Sequence, residues 1–187
     1  MPSNALWNCC EKEKKMKRIL SLTWLLMVFI VPALAQVATP KDTPQLEFAM
    51  QLRVTLGQTY TLGETPHGRR IVIPITGGTF EGPLLHGTIL NGGADYQLAN
   101  VDGSRTELEA IYSIQTHDGT YIHVRNRGII HNGKDAQGQP TFYFKAAPQF
   151  EAPKDSPYDW LNNALFVCQP DWSQDFKGII LNVWKVK

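Results

Sequence analysis

Apolar and polar residues alternate over much of the chain that follows residue 45. The first run places Leu46, Phe48, Met50, Leu52 and Val54 on one side, with mostly polar residues between them. A period of two that persists over about ten residues is typical of a half-buried strand. Other strand-like runs are Arg70–Ile75, Asp95–Val101, Thr106–Thr116, Thr120–Arg127, Thr141–Ala146, Ala164–Cys168 and Gly178–Val186. Because no segment after Gln36 has a sustained helical repeat of apolar residues, the pattern predicts an all-β protein.

Turn-forming residues separate these strands. Asp102-Gly103-Ser104 and His117-Asp118-Gly119 each join two alternating runs, and Asp-Gly in this position is a strong hairpin signal. Pro74 indicates an edge or a bulge in its strand, and residues 128–139 are expected to form a polar loop. Because the strands are long and consecutive, we predict a single closed antiparallel β-barrel of about eight to ten strands over residues 45–187, in preference to a β-sandwich.

Glycines are densest between residues 77 and 97. Gly77-Gly78 and Gly92-Gly93 are interpreted as two turns around a short strand, because glycine is favoured where φ is positive or another group approaches closely. A carboxylate follows each pair, Glu81 after the first and Asp95 after the second. The two turns are therefore expected to bend the barrel and to place both carboxylates near one of its ends.

The first 35 residues differ from the rest of the chain. Met16-Lys17-Arg18 precedes the apolar run Ile19–Val31, and Ala33-Leu34-Ala35 ends it. A basic start, an apolar centre and a small-x-small ending predict a secretory signal peptide that is cleaved between Ala35 and Gln36. A membrane anchor is the alternative, but the apolar run is shorter than the roughly 20 residues that span a bilayer.

Several expectations follow from this N-terminal pattern. Translation is expected to start at Met16, so that residues 1–15 are an extension that precedes the signal peptide. The mature protein is then secreted, in the periplasm, with a flexible leader at residues 36–44 and no membrane association after cleavage. Because Cys168 is the only cysteine after the cleavage site, no intramolecular disulfide is expected, and its apolar neighbours predict a buried side chain.

Composition and motifs exclude several classes of function. The 187 residues carry a formal net charge of +1, which argues against a nucleic-acid partner. The five histidines lack the spacing of metal ligands. The sequence contains no Gly-x-Ser-x-Gly elbow, phosphate-binding loop or dinucleotide-binding motif. We therefore predict neither a metal nor another cofactor.

Several motifs, in this order, resemble domain of unknown function 3237. They are Gly77–Pro83, Gly92–Asp95, Asp118-Gly119, Val124–Gly128, Phe150-Glu151 and Trp160-Leu161-Asn162. The resemblance extends from about Leu46 to Val186. It implies a closed, lipocalin-like β-barrel with a pocket, and it implies no established reaction. The chain departs mildly from the pattern at Asn91, where a proline is expected, and at Tyr96, where a tryptophan is frequent.

Barrels of about eight strands can hold one small ligand in the mouth or lumen, so polar residues on inward faces are candidate ligand-binding residues. Alternation predicts that Asn126 points inward with Ile122 and Val124. It predicts the same for Tyr112, in the inward set Leu108, Ala110, Tyr112 and Ile114. Asp95 and Gln97 share one face of their strand. Glu81, Glu151 and the turn Trp160-Leu161-Asn162 are expected to gather at an end of the barrel.

These positions support three hypotheses. The first is a protein that binds a small organic ligand through residues drawn from Gln97, Tyr112, Arg125, Asn126, Glu151, Trp160 and Asn162. The second is a cofactor-independent isomerase, hydratase or lyase that uses Glu81 and Asp95 as acid and base. The third is a structural or protein-binding barrel, and a homodimer is compatible with all three.

A structural alternative exists for each charged candidate. Carboxylates in glycine-rich turns commonly bond to backbone N–H groups, and Glu81, Asp95 and Glu151 have arginines available as partners. Arg125 and Arg127 have the right spacing to bind an anionic ligand, yet the same spacing is typical of the solvated outer face of a strand. The deciding observation is whether the chain has a cavity into which these residues point.

Overall fold

The computed structural model describes residues 42–187, so the predicted signal peptide and nearly all of the predicted leader lie outside the described residues. The strands are β1 (Leu46–Leu56), β2 (Tyr60–Thr65), β3 (Gly68–Glu81), β4 (His86–Ile89), β5 (Gly93–Ala99), β6 (Arg105–Thr116), β7 (Tyr121–Lys134), β8 (Pro140–Glu151), β9 (Phe166–Pro170) and β10 (Ile179–Val186). The single helical element in residues 42–187 is a 3₁₀ helix, Asp159–Asn163. The predicted all-β class is confirmed.

The strands form one closed antiparallel barrel. Hydrogen-bonded neighbours follow the order β1-β10-β9-β8-β7-β6, and β4 and β5 together occupy the position between β6 and β3. The long strand β3 then pairs with β1 and closes the ring. Strand β2 pairs with β3 alone and lies outside the ring. The predicted closed barrel is thus confirmed, with eight positions around the ring.

The polar loop expected at residues 128–139 is instead mostly strand. Strands β7 and β8 pair residue by residue as far as Lys134 and Pro140, so the loop is short. Most side chains of this hairpin tip are exposed to solvent. Because both faces of the tip contact water, its sequence lacks the alternation that identifies a half-buried strand.

The first glycine pair is also not a turn. Gly77 and Gly78 lie inside β3, with φ values of 142° and 134°. Gly78 is the register partner of Val54, and the backbone of β1 passes directly against it. The pair therefore bends β3 where it turns towards β1. The second pair behaves as predicted, since Gly92 has a φ of 108° in the turn before β5.

Pro74 lies where β3 changes its partner. Val72 is the last β3 residue paired with β2, and Ile75 is the first paired with β1. The Pro74 carbonyl accepts a hydrogen bond from the Gly57 N–H on this side of the strand. The missing N–H of proline therefore interrupts no ladder bond. The predicted irregularity at Pro74 is confirmed.

One end of the barrel is closed by side chains. The 3₁₀ helix places Leu161 in the core, and Tyr158 just before the helix is also buried. Asn162 fastens this segment to the end of β8, because its amide bonds both the N–H and the carbonyl of Ala152 at 2.8 and 2.9 Å. We call this the closed end. The opposite end, where β1 ends and β10 begins, is called the open end.

Asp118 links the β6–β7 turn to the closed end, and its replacement tests this link. Its carboxylate accepts bonds from the Thr116 hydroxyl, the Thr120 N–H and the Tyr158 hydroxyl. These bonds lower the pKa of Asp118 to about 2, and the bond from the Thr116 hydroxyl has the largest effect. A depressed pKa contributes stability above the unfolded value of 3.8, and this stability is lost as pH falls towards 2.

Asp118→Asn is therefore expected to lower the midpoint of thermal unfolding at pH 7 and to flatten its dependence on pH between about 4 and 2. Tyr158→Phe, which removes one of the three bonds, is expected to give a smaller loss. Calorimetry at several pH values measures both effects. An asparagine variant with the same midpoint and the same pH dependence as the parent protein would contradict the assignment.

Candidate functional site

The open end of the lumen contains a cavity of about 100 Å³. Its walls are mostly apolar, and Leu56, Ile73, Phe144 and Ile179 contribute partly exposed or half-buried side chains to the lining. The polar side chains that line it are Asp95, Gln97, Tyr112 and Asn126. Pockets for drug-sized ligands are usually about 300–1,000 Å³. This cavity therefore suits one ring, or the reacting end of a longer molecule whose remainder lies outside.

Strand register explains why these polar groups surround one space. Ala110 of β6 is the partner of Asp95 in β5 and of Asn126 in β7. Two strand spacings separate the backbones of Asp95 and Asn126, about 10 Å in total. The small side chain of Ala110 leaves the space between them open. Tyr112 lies one inward position further along β6, towards the closed end.

Asp95 is held in place by two donors. The Gln97 side-chain amide donates to Oδ2 at 2.7 Å, and the Glu109 N–H donates to Oδ1 at 3.1 Å. The β5–β6 ladder has no register pair between Asp95–Ala110 and Leu98–Glu107, so the carboxylate accepts the hydrogen bond of a backbone group in this gap. Burial raises the pKa of the Asp95 carboxyl above its usual value, and the two hydrogen bonds oppose that shift.

The hydroxyl of Tyr112 is buried and has no hydrogen-bond partner within residues 42–187. Burial, with the nearby Cys168 thiol acting in the same direction, raises the pKa of Tyr112, so this hydroxyl stays protonated. The Asn126 amide contacts the Cys168 sulfur at 3.5 Å. Burial raises the pKa of the Cys168 thiol to about 11, which fits the buried, unreactive cysteine that the sequence predicted.

The structure corrects the predicted pairing of Glu81 with Asp95. Glu81 is exposed, and its register partners in the neighbouring strands are Gln51 of β1 and His86 of β4. Ile73, which is the β3 partner of Asp95, lies eight residues before it on the same strand, about 26 Å along the chain. The two carboxylates therefore cannot act on one small substrate. The error arose because Gly77-Gly78 was interpreted as a turn, whereas β3 continues through it.

Four of the predicted ligand-binding residues also do not line the cavity. Arg125 lies on the outer face of the barrel and donates to Glu109 at 2.8 Å. Glu151 is exposed at the end of β8. Trp160 packs against Phe166 near the closed end. Asn162 bonds the backbone of its own loop. Arg125 thus follows the structural alternative, in which it lies on the outer face of a strand. Trp160 and Asn162 help to close the barrel.

The apolar lining at the mouth and the role of Ala110 are not apparent from the sequence pattern. Phe144 falls inside a predicted strand, but much of the apolar lining that shares the cavity with it comes from the distant strands β1, β3 and β10. Ala110 was assigned to the inward face, yet its importance depends on having polar partners in both neighbouring strands. Cross-strand register supplies this information, and alternation within one strand does not.

A larger hollow of about 820 Å³ lies on the outer side of the barrel. Its lining includes Tyr96 and Tyr143, and it includes Arg127 and Glu109, which form an ion pair at 2.9 Å. Its other carboxylate, Glu107, is paired with Arg105. Because these carboxylates are already paired, the smaller lumen cavity, with its unbonded hydroxyl, is the better candidate site despite its size.

Metal chemistry finds no support in the described part of the chain. No three His, Cys, Asp or Glu side chains of residues 42–187 are grouped so as to hold a metal ion. The rings of His86 and His117 stack with their centroids 4.1 Å apart, but no third metal-ligating side chain is grouped with them in residues 42–187.

No helix in the described part of the chain has the length and apolar character needed to cross a membrane.

Comparison with known proteins gives a consistent result. Residues 44–186 match the family described as protein of unknown function (DUF3237). A UPF0311 protein of Rhodopseudomonas palustris is 35% identical over 136 residues, which cover 67% of this chain and 88% of that protein. The hydroalkoxylation enzyme phnH of Penicillium herquei is 30% identical over 138 residues, which cover 74% of this chain and 80% of phnH.

A solved structure agrees with the fold. A β-barrel-like protein from Acinetobacter baumannii AYE has a TM-score of 0.69 and 34% sequence identity to this chain, with coverage of 80% of this chain and 99% of the other. The family match extends over almost the whole barrel, from just before β1 to the last residue of β10. The chain therefore belongs to the DUF3237 family.

Proposed function

We propose that the protein is a cofactor-independent enzyme that binds a small organic molecule in the lumen and transfers a proton through Asp95. The observation that carries this proposal is the position of the Asp95 carboxyl, which lies half-buried in a mostly apolar cavity that Tyr112, with its unbonded hydroxyl, also lines. The proposal keeps the acid–base hypothesis of the sequence analysis but replaces its pair of carboxylates by one.

The surroundings of Asp95 suit a group that both takes and gives a proton. Burial raises its pKa, so the ionised form is a stronger base than an exposed aspartate and the protonated form is accessible nearer neutral pH. The bonds from Gln97 and Glu109 hold the carboxyl in one orientation. A single carboxyl is sufficient when the same proton leaves one atom of the substrate and returns to another.

The name of one relative supports a reaction class. Hydroalkoxylation, the activity named for phnH, adds the O–H bond of an alcohol across a carbon–carbon double bond. Such an addition removes a proton from oxygen and delivers one to carbon, and its overall balance requires no redox cofactor. We assign the same class to this protein, namely addition or elimination of O–H at a double bond in a small molecule. This class corresponds to the hydratase and lyase types of the sequence hypothesis.

Filling the cavity tests where the molecule binds. Ala110→Leu adds a larger side chain between Asp95 and Asn126, and it is expected to weaken binding of small ring compounds at least about tenfold. Ala147→Leu is the matched control, because Ala147 is exposed on β8 and does not line the lumen cavity. Ligand-induced thermal shifts and native mass spectrometry with a panel of cyclic enones and phenols measure the effect. Equal responses from both variants and the parent protein would contradict binding in the lumen.

A protein that binds without reaction is the second candidate function. It is favoured by the apolar lining near the mouth and by the separation of Glu81 from Asp95, which leaves one carboxyl in the cavity. The two candidates differ in one measurable respect. The enzyme converts its bound molecule and depends on Asp95 to do so, whereas a carrier releases the molecule unchanged.

Export is part of the same proposal and rests on the N-terminal sequence. A basic segment, an apolar run and Ala33-Leu34-Ala35 together indicate cleavage before Gln36. Expression of the full chain in a Gram-negative host, followed by cell fractionation and N-terminal sequencing, tests this. A periplasmic protein that begins at Gln36 is the expected result, and an uncleaved protein in the cytoplasm would contradict it.

A further inference from the structure

We propose that the Tyr112 hydroxyl binds a carbonyl oxygen of the substrate, so that the substrate is an α,β-unsaturated carbonyl compound. This inference rests on the proposed function and names the substrate class of the same site. Asp95 then acts at the double bond, and Tyr112 acts at the carbonyl with which that bond is conjugated.

The first support is the unbonded hydroxyl. A buried polar group without a partner destabilises a fold, and such groups in native proteins require an explanation. A substrate that fills the lumen supplies one. Because the Tyr112 hydroxyl stays protonated and Asp95, Gln97 and Asn126 provide the other polar groups of the cavity, an acceptor oxygen is the complementary group for Tyr112.

The second support is the position of Tyr112 relative to Asp95. Asp95 is the direct partner of Ala110, which makes Tyr112 its diagonal neighbour across the β5–β6 ladder. The Cα atoms of diagonal neighbours are about 7–8 Å apart. A planar conjugated group that lies over Ala110 is therefore flanked by Tyr112 on its carbonyl side and by Asp95 on its alkene side, and both residues line the cavity.

The chemistry balances without another reagent. The substrate's hydroxyl oxygen bonds to the β-carbon, and its proton passes to the Asp95 carboxylate. The electron pair of the double bond moves towards the carbonyl, which becomes an enolate whose oxygen accepts the Tyr112 hydrogen bond more strongly. Asp95 then returns the proton to the α-carbon, and the carbonyl forms again. The net result is O–H added across the double bond.

Tyr112→Phe tests this assignment with cyclohex-2-enone and cyclohexene as probes. The two rings are similar in size, and only the enone has the oxygen. The variant is expected to bind the enone about tenfold more weakly, the loss of one hydrogen bond, and to bind cyclohexene unchanged. In the parent protein, infrared spectroscopy is expected to show the carbonyl stretch of the bound enone at lower frequency, and the variant is expected to lose this shift. Tyr158→Phe is the control, because the Tyr158 hydroxyl bonds Asp118.

Each other outcome overturns the inference. Equal weakening of both probes would give Tyr112 a structural role only, and unchanged enone binding would remove it from the site. If the parent protein binds cyclohexene and not the enone, the substrate class is wrong. If it binds neither probe, the inference fails together with binding in the lumen. Loss of reaction in Asp95→Asn without any effect of Tyr112→Phe would leave the proposed function standing alone.

Discussion

Asp95→Asn is expected to reduce the rate of the reaction by about 10²–10⁴-fold, which is the usual contribution of a general acid or base. Asparagine keeps the size of the side chain and can still accept the Glu109 N–H bond that holds it in the β5–β6 gap. Ligand binding is therefore expected to change by no more than a few-fold. The reaction can be followed without the natural substrate, with D₂O as the O–H donor, as the α-deuterated β-hydroxy ketone formed from small cyclic enones.

The same variant is expected to be more stable than the parent protein at neutral pH. A carboxyl whose pKa is raised by folding contributes stability below its unfolded value of 3.8, and that stability is lost as pH rises through the folded value. Asparagine does not ionise, so the difference between variant and parent should grow from pH 4 to pH 7. Loss of activity together with a gain in stability is typical of a residue retained for function.

Glu81→Gln is the control for this experiment. Glu81 is exposed and distant from Asp95, so its replacement is expected to leave the rate unchanged. An Asp95→Asn variant that reacts as fast as the parent protein would refute the acid–base proposal. A parent protein that binds ligands in the lumen and forms no deuterated adduct would instead support the carrier.

Alternation along single strands predicted part of the site correctly. The inward sets of β6 and β7 are confirmed, because Tyr112, Val124 and Asn126 are all buried. The common face of Asp95 and Gln97 is confirmed by the hydrogen bond between them. These predictions succeeded because the period of two is a local property, and residues two apart on a strand share a face whatever the strand pairs with.

The ends of the barrel were not predictable in the same way. Whether Glu81 shares an end with Asp95 depends on whether Gly77-Gly78 is a turn or a bend, and glycine is favoured equally in both. The pairing with β1 determines the outcome, because β1 pairs with β3 at Gly78 and on both sides of it, so that β3 continues through the glycine pair. Such a long-range pairing leaves no mark in the local pattern. The same reason explains why the cavity lining from β1, β3 and β10 was missed.

Gly78→Ala is expected to produce a much larger loss of stability than alanine at the other positive-φ glycines of this stretch, Gly77 and Gly92. A Cβ at this position would lie 2.0 Å from the carbonyl oxygen of Arg53, which belongs to the backbone of β1. This oxygen cannot move away unless the pairing of β1 with β3, which closes the barrel, opens. The positive φ adds backbone strain of about 1–3 kcal/mol.

Gly77 and Gly92 separate the steric effect from the backbone strain. Gly77→Ala has a similar φ but nothing closer than 3.5 Å to its Cβ, and Gly92→Ala has nothing within 4 Å. Each is therefore expected to lose only the strain, about 1–3 kcal/mol in the free energy of unfolding measured with urea. Gly78→Ala is expected to lose about 4 kcal/mol or more, which approaches the whole stability of a typical domain.

The comparison remains decisive if Gly78→Ala does not fold. In that case the two control variants remain soluble under the same expression conditions, and the soluble fraction then measures the effect. Equal losses for Gly77→Ala and Gly78→Ala would show that β1 does not pass closely against β3 at this point. Because the wall of the lumen cavity includes residues of both strands, an opening here would also change the ligand site. Loss of ligand binding in the Gly78 variant, with binding retained in the Gly77 variant, would therefore connect barrel closure to function.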